Sequence, residues 1–147
     1  MPDRMESFLE DRSYYFTLRD DAELLRRVAG IRGDAEVAER LSMFLLRLRA
    51  IAALTLAYWR HGQSGNRTDI AWEMGFAEDD DPLGTLDAFL AEFGLTDHDL
   101  HHKSLLELAH KDPETGALAG CIESSRENYL VFLRSLPISF RSSHSTP

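Results

Sequence analysis

The sequence predicts an all-α fold: a single-domain compact bundle of about five to seven helices around a long central helix at 34–61. Three observations predict it. Apolar residues recur at steps of three and four along most of the chain. Cap residues and glycines punctuate it at helix-length intervals. Strand-like alternation of apolar and polar residues is almost absent. With 147 residues, 44% hydrophobic and 28% charged, the chain is large and apolar enough to bury one real core. The expected domain covers residues 1–136, and "SSHSTP" in the segment 137–147 reads as a disordered tail.

The first expected helix is "MESFLEDRSYYFTLR", with Phe8, Tyr15 and Leu18 among its apolar positions. Asp20, followed three residues later by Glu23, then reads as a capping box that starts a second, shorter helix. Gly30 is the expected end of that helix.

The clearest element begins near Asp34 and stops at Gly62. Val37, Leu41, Phe44, Leu48, Ile51, Thr55 and Tyr58 fall on one helix face. Leu45, Ala52, Leu56 and Trp59 are expected to widen it, so that the helix packs on more than one neighbour. Arg40, Arg47 and Arg60 line its polar margins.

"GQSGN" is a loop, after which Thr68 or Asp69 is expected to cap a short helix "IAWEM" closed by Gly75. "AEDDD" is an acidic loop. Asp81 followed by Pro82 is a cap with proline at the first helical position, and "LGTLDAFLAEF" is expected to end at Gly94. Thr96 caps the next helix, with Asp99 three residues on. "KDPETG" reads as a break, and a last helix is expected over about 118–136, carrying Ile122, Tyr129, Leu130, Phe132 and Leu133 before Pro137.

The net charge of -9 is unevenly spread. Residues 1–62 hold ten arginines and ten carboxylates, whereas fourteen acids between Asp69 and Glu123 face only Lys103 and Lys111. That balance disfavours nucleic acid and suits a basic protein partner. Cys121 is the only cysteine, so an intrachain disulfide is excluded and a reducing compartment is the simpler reading. The opening "MPDRMESFLEDRS" has no apolar stretch of the secretory kind, and the longest apolar run, "AIAALTLAYW", is short for a membrane span. A cytoplasmic protein is expected.

Four of the six histidines lie in "TDHDLHHKSLLELAH". On one continuous helix, His98 and His102 share a face one turn apart, His101 leans towards Leu108, and Glu107 with His110 points elsewhere. The two pairs therefore cannot share an ion. His98 and His102 supply half of a zinc site, which His61, Cys121 or a carboxylate would have to complete. No metal and no cofactor are expected; if a metal binds, His98 and His102 are the candidates.

"DDDPLGTLDAFL" has calcium-loop spacing at Asp79, Asp81, Gly84 and Asp87, but Leu83 and Leu90 occupy ligand positions. No G-x-S-x-G elbow or P-loop is present, and Cys121 is expected to be buried rather than reactive. Trp59 and Trp72 are expected at the core or its edge.

Ile70, Ala71, Gly75, Phe76, Phe89, Phe93, Gly94 and Thr96 make the stretch from Asp69 resemble the second helix-turn-helix of AraC-type transcription regulators, over less than a quarter of the chain. That resemblance implies a DNA-binding helix. The gap between its halves is longer here, and the second helix offers Asp87 and Glu92 where phosphates call for Arg or Lys.

The leading expectation is a non-enzymatic protein-binding domain, an adaptor or an immunity/antitoxin-like inhibitor that presents an acidic face. The residues assigned to that face are Glu78, Asp79, Asp80 and Asp81, with Trp72 and Phe76 as anchors if exposed. A helical metalloprotein or enzyme using the His98/His102 helix is the second reading. A degenerate helix-turn-helix regulator is the third.

Overall fold

The computed structural model describes residues 2–61 and 66–124, with side chains from residue 9 onward. Among these residues the fold is compact and all-α, with seven α-helices and no strand. They are α1 (Pro2–Ile31), α2 (Ala35–His61), α3 (Arg67–Glu73), α4 (Pro82–Glu92), α5 (Asp97–His102), α6 (Leu105–Lys111) and α7 (Pro113–Ser124). A 3₁₀ turn, Phe76–Glu78, joins α3 to α4.

The first helix is one element where the sequence suggests two. Asp20 does not cap anything; it lies inside α1 and pairs with Arg19 at 3.0 Å. The reason is packing. Tyr15, Leu18, Ala22 and Ala29 are buried, with Leu25 packed partly against them. Their three-and-four spacing runs straight through Asp20, so a break there would have split a continuous core face. Nor does α1 end at Gly30. Gly33 takes a positive φ of 76°, Gly33 N–H donates to Gly30 O and Asp34 N–H to Ala29 O. These are the two hydrogen bonds of a Schellman closure, which a residue with a Cβ would strain.

Asp34 then starts α2: its carbonyl accepts from Ala38 N–H, and its carboxylate lies 3.5 Å from Val37 N. All seven stripe residues, Val37 to Tyr58, are buried. The widening differs from expectation. Leu54 and Ala57 are buried, whereas Leu45, Ala52 and Leu56 are half-buried and Trp59 is 36% exposed. Helix α2 thus packs on α3 and α5 as well as on α1. The short α6 and α7 also pack on both long helices. By length and composition α2 could cross a membrane, with mean hydropathy 1.5 over 18 residues; 44% of that window is buried against other helices.

The later elements show which cap signals operate. Asn66, not Thr68 or Asp69, caps α3, accepting from both of their backbone N–H groups. Asp81 caps α4 through Gly84 N–H, with Pro82 at its first turn, and Gly94 closes it. The expected histidine helix is two helices. Lys103 adopts extended backbone and Ser104 caps α6 by accepting from Glu107 N–H at 3.1 Å. The last helix starts at Pro113, not near Leu118. Asp112 followed by Pro113 repeats the start signal of Asp81 and Pro82. Thr115 Oγ1 donates to the Asp112 carboxylate. Gly116 permits the sharp α6–α7 corner, because a Cβ there would lie 2.5 Å from His110 O. The expected positions Tyr129, Leu130, Phe132 and Leu133, the tail 137–147 and most of "GQSGN" lie outside the described residues, as does the Phe8 side chain.

Arg47 Nη1 reaches both oxygens of buried Asp112, at 2.9 and 2.8 Å, and so ties the middle of α2 to the start of α7. Removing one partner of such a pair strands the other charge in a poorly solvated place.

The core assignment yields a direct test. Leu48 is 1% exposed and Leu24 57% exposed. Leu48→Ala is expected to cost roughly 2–5 kcal/mol in denaturant unfolding, and Leu24→Ala under about 0.5 kcal/mol. Equal losses would show that the buried face of the hairpin is misassigned.

Candidate partner-binding surface

Fourteen carboxylates lie between Asp69 and Glu123, and folding divides them into two groups. Seven have a cationic or histidine partner: Glu73 with Arg60 and His61, Asp87 and Asp97 with Arg67, Asp99 with Lys111, Glu107 with Lys103, Asp112 with Arg47, and Glu123 with His110. The remainder are Asp69, Glu78, Asp79, Asp80, Asp81, Glu92 and Glu114, which form no ion pair within 4 Å among the described residues, although Glu92 and Glu114 feel the charge of Arg47. Five of these seven fall between Asp69 and Asp81. The acidic surface is therefore far narrower than composition suggests, and it centres on α3 and the connection to α4.

Glu78, Asp79 and Asp80 are exposed. Asp81 is exposed too, but its carboxylate accepts from Gly84 N–H at 3.0 Å, which commits it to the α4 cap. The two aromatic candidates separate. Phe76 is half-buried, 5.5 Å from Phe89, which in turn lies 5.4 Å from Phe93. That ring ladder holds the 3₁₀ turn onto α4 and leaves Phe76 little free face. Trp72, expected at the core edge, is 64% exposed. It sits one turn after Asp69 on the same helix, so an unpaired carboxylate flanks it. Local periodicity could not reveal this. With only seven residues, α3 has too few positions to define a face.

The ends of α2, α3 and α5 meet in a polar network instead of a catalytic constellation. Tyr58, 1% exposed, donates its hydroxyl to Asp97 Oδ1 at 2.6 Å. Burial, and then the Asp97 carboxylate, push the phenol well above its ordinary pKa, so it serves as a fixed donor. Arg67 bridges Asp97 on α5 and Asp87 on α4. Glu73 accepts from Arg60 and faces His61 Nε2 at 2.6 Å. The chemistry these groups perform here is to pin three helix ends together. Tyr58 and Asp97 lie 39 residues apart, a separation no local motif announces.

The break at Lys103 and Ser104 changes the reasoning about histidines but not their separation. His98 and His102 are exposed, with ring centroids 4.5 Å apart. His101 turns inward and meets Tyr58 edge-on at 5.6 Å. His110 is engaged by Glu123 at 2.7 Å on the neighbouring α7. Among the described residues no group of three or more His, Cys, Asp or Glu side chains could hold a metal. Cys121 is half-buried and packs partly on the core. Residues 69–96, which resemble a helix-turn-helix, form α3, the 3₁₀ turn and α4, and α4 carries no lysine or arginine. Comparison with known protein families, with curated proteins and with solved structures finds no match.

Asp99 completes the α5 capping box with Thr96 and binds Lys111 at 2.7 Å. The lysine's hydrogen bond holds its carboxyl below the ordinary aspartate range, near 3.8. Its stabilising contribution is therefore present above that pH and fades as pH falls through the lower folded-state value. Asp99→Ala is expected to lose roughly 1–3 kcal/mol at neutral pH. The gap from wild type should close only below about pH 4 in acid-unfolding curves. A gap that instead closed between neutrality and that point would assign the effect to another group. For the histidines, EDTA is expected to leave the melting temperature of untagged protein unchanged, since a structural metal would couple to folding. A drop in wild type that is absent in His102→Ala would restore His98 and His102 as ligands.

Proposed function

We propose that this chain is a non-enzymatic protein-binding domain, an adaptor or an inhibitor of the immunity or antitoxin kind. Trp72 is its anchor and the unpaired carboxylates of α3 and the following loop are its rim. The observation that carries this reading is Trp72 itself, a large apolar side chain left 64% exposed within a strongly acidic segment. Tryptophan is among the residue types that dominate binding energy when desolvated at an interface centre. Rim charge chiefly sets the encounter rate and the choice of partner. Glu78, Asp79 and Asp80 are consecutive and uncompensated, so they repel one another in the free protein. A basic surface placed against them would relieve that repulsion.

The experiment begins with a pull-down from lysate of the source organism, analysed by mass spectrometry, and continues with the purified partner. Trp72→Ala is expected to weaken affinity by at least ~10-fold, chiefly through a faster off-rate. Asp79→Lys combined with Asp80→Lys is expected to slow association, as added salt should for wild type. Asp81 is left intact because its reversal would remove the α4 cap. A partner bound equally well by all three proteins, with no salt dependence, would move the interface elsewhere on the molecule.

A further inference from the structure

A cavity of about 220 Å³ opens between α1, α2 and α6, away from the elements that carry Trp72. Its walls are mainly apolar, from Tyr15, Phe16, Ala53, Leu56 and Leu105. Its two charged lining residues are both arginines, Arg12 on α1 and Arg49 on α2. The Arg12 guanidinium lies over the Phe16 ring, 5.5 Å from its centroid, and Arg19 lies over the same ring at 4.7 Å. Arg19 has Asp20 as a partner, at 3.0 Å. Neither Arg12 nor Arg49 has a carboxylate partner among the described residues.

That pairing pattern is unexpected for this composition. The chain has 25 acidic residues against 16 basic ones, so carboxylates are in surplus. Two guanidinium groups without a carboxylate ion pair border the same apolar hollow, Arg49 hydrogen-bonded to the Tyr15 hydroxyl and also facing a second hollow lined by Asp20 and Glu23. Asp11, next to Arg12 in sequence, forms no ion pair with it; its carboxylate turns to α6 and accepts from Leu105 N–H at 3.3 Å. We propose that this cavity binds a small organic monocarboxylate, with its apolar body in the hollow and its carboxylate between Arg12 and Arg49.

The size sets the class of ligand. A cavity of about 150 Å³ holds benzene, and drug-sized sites begin near 300 Å³. A hollow of about 220 Å³ suits one aromatic ring or a short acyl chain and excludes a nucleotide. Arginine favours a carboxylate because its planar fork matches the two oxygens. The Tyr15 hydroxyl does not compete as an anion: burial raises its pKa above the ordinary phenol value. Stacking over Phe16 also orients Arg12 before any ligand arrives, which lowers the ordering cost of binding.

The test uses the full chain and four probes, phenylacetate and octanoate with their neutral amides, phenylacetamide and octanamide. Binding is read by calorimetry and by shifts of backbone amide resonances. At least one acid is expected to saturate, with its amide at least ~10-fold weaker, and Arg12→Gln and Arg49→Gln each losing ~10-fold. Ala53→Trp should fill the hollow and abolish binding, with helicity checked by circular dichroism. Trp72→Ala should bind the acid as wild type does, which keeps this site separate from the proposed protein interface. Amides that bind as tightly as the acids, shifts that map away from α1, α2 and α6, or no saturable binding of either acid would each overturn the proposal. The acid–amide comparison on wild-type protein stands even if a variant fails to fold.

Discussion

Everything in this molecule depends on covering α2. Its buried stripe runs from Val37 to Tyr58 along a helix of 27 residues, and no single neighbour of the later chain is long enough to cover it. The solution is asymmetric. The long α1 lies along it as a hairpin partner, and short helices cover what α1 leaves open. This explains why α1 must be continuous through Asp20. Interrupting α1 there would expose apolar area on both helices at about 25 cal/mol per Å². A surface cap on Asp20 could offset only about 1 kcal/mol of that.

Charge follows from the same constraint. Helices too short to be stable alone need tertiary ties at their ends. The ties here use the acidic residues that composition supplies in excess: Asp97 to Tyr58 and Arg67, Asp99 to Lys111, and Asp112 to Arg47. Folding therefore consumes negative charge on α5 to α7 and leaves it uncompensated on α3 and the loop after it. The polarity of the surface is a residue of how the core was assembled. The same process leaves Arg12 and Arg49 at the α1–α2–α6 groove without carboxylate ion pairs among the described residues, although the protein as a whole is acidic.

The helix starts show what local signals can and cannot say. Asp34, Asp81 and Thr96 act as caps, each with its hydrogen bond; Asp81 and Thr96 were legible as caps ahead of an apolar run, and Asp34 only as the place where the long helix begins. Asp20 carries the same kind of signal and is overridden. Ser104 with Glu107, and Asp112 with Pro113, carry it too and are used, though a continuous helix and a break were the expectations there. A cap offers about 1 kcal/mol, which is less than the packing differences that decide between these alternatives. Cap signals therefore mark the places where a helix can begin, and burial decides which of them are used.

The sequence by itself determined the helical class, the position of α2 and its buried face, because that information is periodic and local. It also determined the acidic surplus of the segment from Asp69 to Glu123. Only the tertiary structure decided which of those acids stay unpaired, that Trp72 faces solvent while Phe76 packs on Phe89, and that Arg12 and Arg49 line one hollow. Apart from Lys103 with Glu107, these are properties of residue pairs 12 to 65 positions apart. Nothing in the local spacing of a chain encodes which distant side chains will share a surface; the packing of α1 and the short helices around α2 does.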